Sequence, residues 1–273
     1  MQEKVTLGRS AYFSAGRVLR RADWSEEENL AVFGKRVRPH GHDYVLTVFY
    51  KGTPGTEDGM IVNINDLKPI IAQVLAPLDG GFLNELPAFS SQLPTAENLV
   101  NFLWTQLSPA VAGGVLTRLR LQETRDFQVE KFPDTMRITK KYEFAAAHRL
   151  HVPSLSDEEN YARYGKCNNP SGHGHNYGLE VTLEGAPEDA SGVLLAPDAF
   201  DEIVEQEVFA RFDHKHLNVD CPEFRDLIPT SENLARVIFN ILQKRIDDLG
   251  KPHVRLVKIG LQEIQKNYFE VVA

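Results

Sequence analysis

YGKCNNPSGHGHNYGLEV fills residues 164–181, and a worn copy of it, FGKRVRPHGHDYVLTV, fills residues 33–48. The later stretch holds Cys167, His173 and His175. The earlier one keeps His40 and His42 but has Arg36 where the cysteine would stand. Four more pairs keep the same order along the chain. YFSAGRVLR (12–20) matches EFAAAHRLH (143–151), and LDGGFLN (78–84) matches FDHKHLN (212–218). PTAENL (94–99) matches PTSENL (229–234), and LQETRDFQV (121–129) matches LQEIQKNYFEV (261–271). Five ordered matches at offsets of about 131 to 140 positions mark a tandem duplication, because similarity at a fixed period identifies a repeated structural unit. The join falls in the polar, proline-broken QVEKFPDT at residues 128–135, so domains are expected over 1–130 and 136–273.

Two ordinary domains are compatible with 273 residues, and 42% hydrophobic with 25% charged residues is the composition of a soluble globular chain. The N-terminus MQEKVTLGRS has no apolar core and no run approaches eighteen apolar residues, so neither a standard secretory signal nor a membrane partner is expected. Cys167 and Cys221 are too few for a disulfide framework, which points to a reducing, cytoplasmic setting. A net charge of −8 argues against nucleic acid, which needs a basic face, while leaving room for a small anionic substrate.

Each copy reads strand–strand–helix–helix–strand–strand. Tyr177, Leu179, Val181 and Leu183 alternate with Gly178, Glu180, Thr182 and Glu184, the period of a half-buried strand. Leu234, Val237, Ile238, Ile241 and Leu242 recur at helical spacing behind a cap at Ser231 or Thr230. Leu67, Ile70, Ile71, Val74 and Leu75 do so behind the capping candidate Asp66. The fold class is α+β, each domain a four-stranded antiparallel sheet with two helices on one face. Such a sheet has open edges, so an edge-joining oligomer is expected.

His173 and His175 are two apart at the start of a strand and share one face. A lone H-x-H is often no more than a hydrogen-bonded strand end. Here His148 adds a third imidazole, on a strand face shared with Tyr142, Phe144 and Ala146. Three neutral imidazoles leave a fourth tetrahedral position open, as in catalytic zinc sites. Cys167, in a Gly/Asn/Pro-rich loop, is a candidate base or nucleophile if a nearby dication or imidazolium lowers its pKa. Asp213–His214 is a candidate acid–base pair. Glu232 stands in the first turn of a helix, where a glutamate also complements the dipole. Glu263 ends an otherwise apolar strand face and needs a partner there; a flat heterocycle with adjacent N–H donors would serve.

With these residues in place, the second copy resembles the 6-pyruvoyltetrahydropterin synthase family through FAAAHRL, YGKCNNPSGHGHNY, FDHKHLN and PTSENLA in family order. The resemblance implies tandem T-fold (tunnelling fold) domains whose rings of subunits pair sheet edges. It implies Zn2+ on His148, His173 and His175, and a triad of Cys167 with Asp213 and His214 across a subunit boundary. It places pterin anchors at Glu232 and Glu263, with Thr230 and Ser231 nearby. The substrate implied is 7,8-dihydroneopterin triphosphate. Two family activities compete: release of triphosphate to form 6-pyruvoyltetrahydropterin, and formation of 6-carboxytetrahydropterin with loss of acetaldehyde. Five residues separate Cys167 from His173, which resembles the first type, whereas EIQKN departs from the animal E-T-D-N-N. Arg149, Lys166 and Lys215 are motif-adjacent cations for the triphosphate.

In the first copy Arg17 or a gap replaces His148, Arg36 replaces Cys167 and Gly80 replaces His214, while Asp79, Glu97 and Glu123 remain. A structural copy standing in for a subunit is expected, so a homotrimer would give six domains and three sites. The readings outside this one are a non-catalytic pterin-binding scaffold and a zinc hydrolase of another substrate.

Overall fold

The computed structural model describes residues 3–109 and 113–273. The chain forms two compact units. The first runs to Ile138 and also takes Glu184–Asp198; the second comprises Thr139–Leu183 and Ala199–Ala273. One segment of the second repeat therefore belongs with the first unit, a division that the expected boundary at residues 130–136 does not contain.

In the first unit β1 (Val5–Arg17) and β2 (His40–Gly52) pair antiparallel, with Arg17 opposite His40. β4 (Val115–Gln122) pairs with β2 and β5 (Phe127–Lys131) with β4, both antiparallel. A two-residue β3 (Gly81–Phe82) runs parallel to β1 on its other side. The second unit repeats the plan. β6 (Met136–His148), β7 (His173–Gly185), β9 (Val254–Ile264) and β10 (Asn267–Val272) are successive neighbours, and β8 (Lys215–His216) runs parallel to β6. Each unit therefore has, beside its antiparallel strands, a short parallel strand that the sequence reading did not contain.

Helices α1 (Glu26–Phe33), α2 (Ile64–Leu75) and α3 (Ala96–Leu107) belong to the first unit. The second copy has α4 (Asp157–Tyr164), α5 (Pro197–Val204), α6 (Ala210–Phe212), α7 (Leu217–Asp220) and α8 (Ser231–Asp247). A π-helical stretch, Glu205–Phe209, joins α5 to α6. The long helices do what their periodicity requires. Leu67, Ile71 and Leu75 of α2, and Leu234, Ile238, Leu242 and Ile246 of α8, are all buried. Each such burial is worth about 2 kcal/mol.

Two local readings need correction, at the cap of α2 and in β7, and one open choice, the cap of α8, is resolved. Asn63, not Asp66, caps α2, its side chain accepting the Asn65 N–H. Thr230 caps α8, which leaves the Ser231 hydroxyl free for another partner. The alternation in β7 fails near its end, where Thr182 and Glu184 are buried as well. Thr182 shares a hydroxyl hydrogen bond with Thr139, and Glu184 is ion-paired with Arg137, so both polar groups are satisfied. Among the described residues no helix is long and apolar enough to cross a membrane. Both cysteines are free thiols.

Candidate metal centre

The centre lies where β6 and β7 approach each other. Phe144, Ala146 and His148 occupy the buried face of β6, with Phe144 stacked on Tyr177. Gly172 permits the close approach ahead of β7. Its φ is +72°, and a Cβ there would fall 2.5 Å from His216 Nε2 and 3.0 Å from the His148 carbonyl. No other residue fits that turn. The chain then delivers His173 and His175 on one face.

One ring nitrogen from each of His148, His173 and His175 lies within 4.8 Å of the others. The Nε2 atoms of all three are buried without a hydrogen-bond partner. His148 Nδ1 sits 2.8 Å from the Pro229 carbonyl. The carbonyl can only accept, so Nδ1 carries the proton and Nε2 keeps its lone pair. Burial lowers the pKa of His148 and His173, with the neighbouring imidazoles adding to the effect, and this keeps both rings neutral at pH 7. An unpartnered buried polar atom costs about 1–3 kcal/mol, so three converging lone pairs are a poor way to build an ordinary core. They fit a divalent ion with one position left open.

Glu263 stands beside the rings, 3.9 Å from His148 Nε2 and 3.8 Å from His175 Nε2. Ser231 Oγ donates to its Oε1 at 2.7 Å and Asn267 Nδ2 to its Oε2 at 3.2 Å. Burial alone would raise the carboxyl pKa, but these donors and the imidazoles hold it below the usual range. Asn267 is a residue the sequence reading missed. The signal was its place in EIQKN, four residues past Glu263, where the β9–β10 hairpin folds it back.

Cys167 lies in a one-turn 3-10 helix, Gly165–Asn168, where an irregular loop was expected. Its carbonyl accepts the Leu150 N–H at 2.8 Å. Burial, followed by the charge of Glu263, pushes the thiol pKa up. The protein's own groups therefore do not supply the expected lowering.

His214 Nδ1 lies 2.9 Å from Asp213 Oδ2, and Asp213 Oδ1 accepts the Ala145 N–H at 2.8 Å. Burial opposes the Asp213 charge, yet these bonds hold its pKa below the ordinary value. His214 is 82% exposed and has φ +54°, the only positive φ of a non-glycine residue among those described. A side chain held there costs about 1–2 kcal/mol, and the first copy has Gly80 at that place. A cleft of about 550 Å³ is bordered by His175 and His214. Among the described residues no hydrogen bond or ion pair joins Cys167 to Asp213 or His214, so a single chain does not close that triad. Glu232 is exposed in the first turn of α8, away from any such bond.

The chain matches, twice, the family model described as 6-pyruvoyl tetrahydropterin synthase, over residues 6–131 and 137–273. Human 6-pyruvoyl tetrahydrobiopterin synthase is 42% identical over 130 residues, covering 48% of this chain and 86% of the human one. A putative 6-carboxy-5,6,7,8-tetrahydropterin synthase of Archaeoglobus fulgidus is 29% identical over 126 residues, 46% of this chain and 94% of its own. The solved structure of Caenorhabditis elegans 6-pyruvoyl tetrahydropterin synthase aligns at 33% identity over 51% of this chain and 96% of its own, with a TM-score of 0.47.

Proposed function

The chain belongs to the 6-pyruvoyl tetrahydropterin synthase family, and from that premise we propose a lyase whose working copy is residues 136–273. Its substrate is 7,8-dihydroneopterin triphosphate, and it releases triphosphate to form 6-pyruvoyltetrahydropterin. The observation that carries this reading is the set of three buried, unpartnered imidazole nitrogens. The name and 42% identity of the human relative favour the pyruvoyl product over the carboxy one.

His148, His173 and His175 would hold zinc, and the ion, when bound, would polarise a side-chain hydroxyl of the substrate and offset the field of Glu263 on the thiol. Glu263 accepts the N–H donors of the pterin in place of the Ser231 hydroxyl and the Asn267 amide, which fixes the ring. Cys167 takes the proton from the side-chain carbon, and His214, oriented by Asp213, carries protons to and from the opposite side. Glu232, with Thr230, borders the ring. Because His214 points to solvent in one chain, a second chain's working copy supplies the pair to Cys167. A homotrimer of six domains and three sites satisfies that need. The first copy, residues 1–130, is structural.

The test is incubation with 7,8-dihydroneopterin triphosphate and identification of the products. A 6-pyruvoyl product with triphosphate is expected. Acetaldehyde with a carboxypterin would select the carboxy-forming reaction, and no turnover would select a scaffold. Cys167→Ala should lower the rate by roughly 10²- to 10⁴-fold, the worth of a positioned acid–base group, while pterin affinity persists. A zinc hydrolase would keep its rate.

A further inference from the structure

The first copy contains the same backbone frame around a different centre. His148 Nδ1 meets the Pro229 carbonyl in the second copy; in the first, Arg17 Nη1 donates to the Pro94 carbonyl at 2.9 Å. Where His148 and His175 face Glu263, Arg17 Nη2 lies 2.5 Å from Glu123 Oε2 and His42 Nε2 lies 3.5 Å from Glu123 Oε1. His40 Nδ1 sits 2.8 Å from the Arg38 carbonyl, which assigns its proton to Nδ1 and leaves the Nε2 lone pair as acceptor. Arg17 Nε is aimed at that lone pair at 3.4 Å. Arg17 is 1% exposed and Glu123 6%, so this is a fully buried charge pair. The residues present do not fit a metal, because a guanidinium already lies among the imidazoles.

The other carboxylate of this copy is also engaged. Glu97, 3% exposed, accepts the Leu194 N–H at 3.0 Å, and Thr95 Oγ1 donates to the Gly192 carbonyl at 2.6 Å. Val193 enters a core cluster with Leu19, Phe33 and Val37. These partners come from Glu184–Asp198, the segment that belongs to the first unit.

We propose that Arg17 is a built-in cation that takes the metal's place in the first copy, and that Gly192–Leu194 takes the ligand's, so this copy binds neither. The site survives as an internal joint: Arg17 neutralises Glu123 and gives the His40 lone pair its partner, while Glu97 and Thr95 hold the segment by its backbone. The chain binds one metal ion, in the second copy.

The test counts zinc per folded chain, in wild type and in the Arg17→His variant. That variant places a third imidazole opposite His40, where the register already puts residue 17. Exactness of the total does not matter; the increment does, so a failed metal site in the second copy would not obscure the result. One additional zinc ion per chain is expected in Arg17→His, together with a melting temperature that falls without zinc and recovers with it. Arg17→Met should fall similarly and show no recovery. A folded Arg17→His chain with no added zinc would overturn the proposal. Should that variant not fold, His173→Ala decides: it is expected to hold no stoichiometric zinc, and one ion retained per chain would place a metal in the first copy and refute the substitution.

Discussion

Asn84 and Asn218 do the same thing in the two copies, accepting the backbone N–H of Val18 at 2.8 Å and of Arg149 at 2.7 Å. Asn29 and Asn160 each accept a loop N–H four residues past a strand end, from Arg21 and from Val152. Asp79 and Asp213 accept from Ser14 and Ala145. At the centre the copies part: three lone pairs converge in one, and a guanidinium fills the other. The difference teaches that a residue's presence in both copies does not by itself mark catalysis. Asp79 persists because a carboxylate closes a backbone N–H, and its presence says nothing of lost catalysis.

The sharpest way to break the comparison is at corresponding histidines. His173→Ala should lose its metal and at least ~10³-fold in turnover, since a three-imidazole site does not survive the loss of a ligand. His40→Ala, which removes one contact to Arg17 and one to the Arg38 carbonyl, both in the first copy, should stay within about twofold of wild type. Metal analysis and a triphosphate-release assay read both. Equal losses would mean that the first copy works too.

Glu97 gives the next largest effect. Burial pushes its carboxyl up to about 7. In the unfolded chain it ionises near 4.3, so between those values the unfolded state loses its proton first and stability falls as pH rises. The span corresponds to roughly 4 kcal/mol. Glu97→Gln keeps an acceptor for Leu194, removes the charge, and should flatten denaturant-measured stability between about pH 4.5 and 7. An unchanged slope would show that Glu97 does not titrate there.

The smallest effect separates frame from chemistry at one position. Asp79→Ala and Asp213→Ala should each destabilise by about 1 kcal/mol, the net worth of a hydrogen bond to a solvent-accessible strand N–H. Only Asp213→Ala should also slow turnover, by about 10²-fold, through loss of the His214 orientation. Urea titration and kinetics on the same samples distinguish the two losses.

The strands, the long helices and the three-imidazole cluster were legible because each follows a short-range period: alternation for Tyr177–Leu183, helical spacing for Leu234–Leu242, two residues for His173 and His175. What escaped depends on reach across the fold. α1 and α4 have little apolar periodicity, and their only sequence sign is the capping box, Ser25 with Glu28 and Ser156 with Glu159. Glu97 and Glu232 occupy matching positions in PTAENL and PTSENL, yet one is buried and the other exposed, because Leu194 covers only the first. Arg17 reads as a deletion of His148. Only its side-chain length, which carries the guanidinium to Glu123 and His40, shows that it is a replacement.

The assignment of Glu184–Asp198 to the first unit has a consequence for synthesis. On the ribosome the first repeat emerges whole, but its cluster around Leu19 and Phe33 stays short of Val193 until the second repeat is well under way. At roughly 5–20 residues per second, the interval between Ile138 and Asp198 lasts about 3–12 s, with Glu97 facing water throughout. A gene cut between the repeats would make that wait permanent for the leading half.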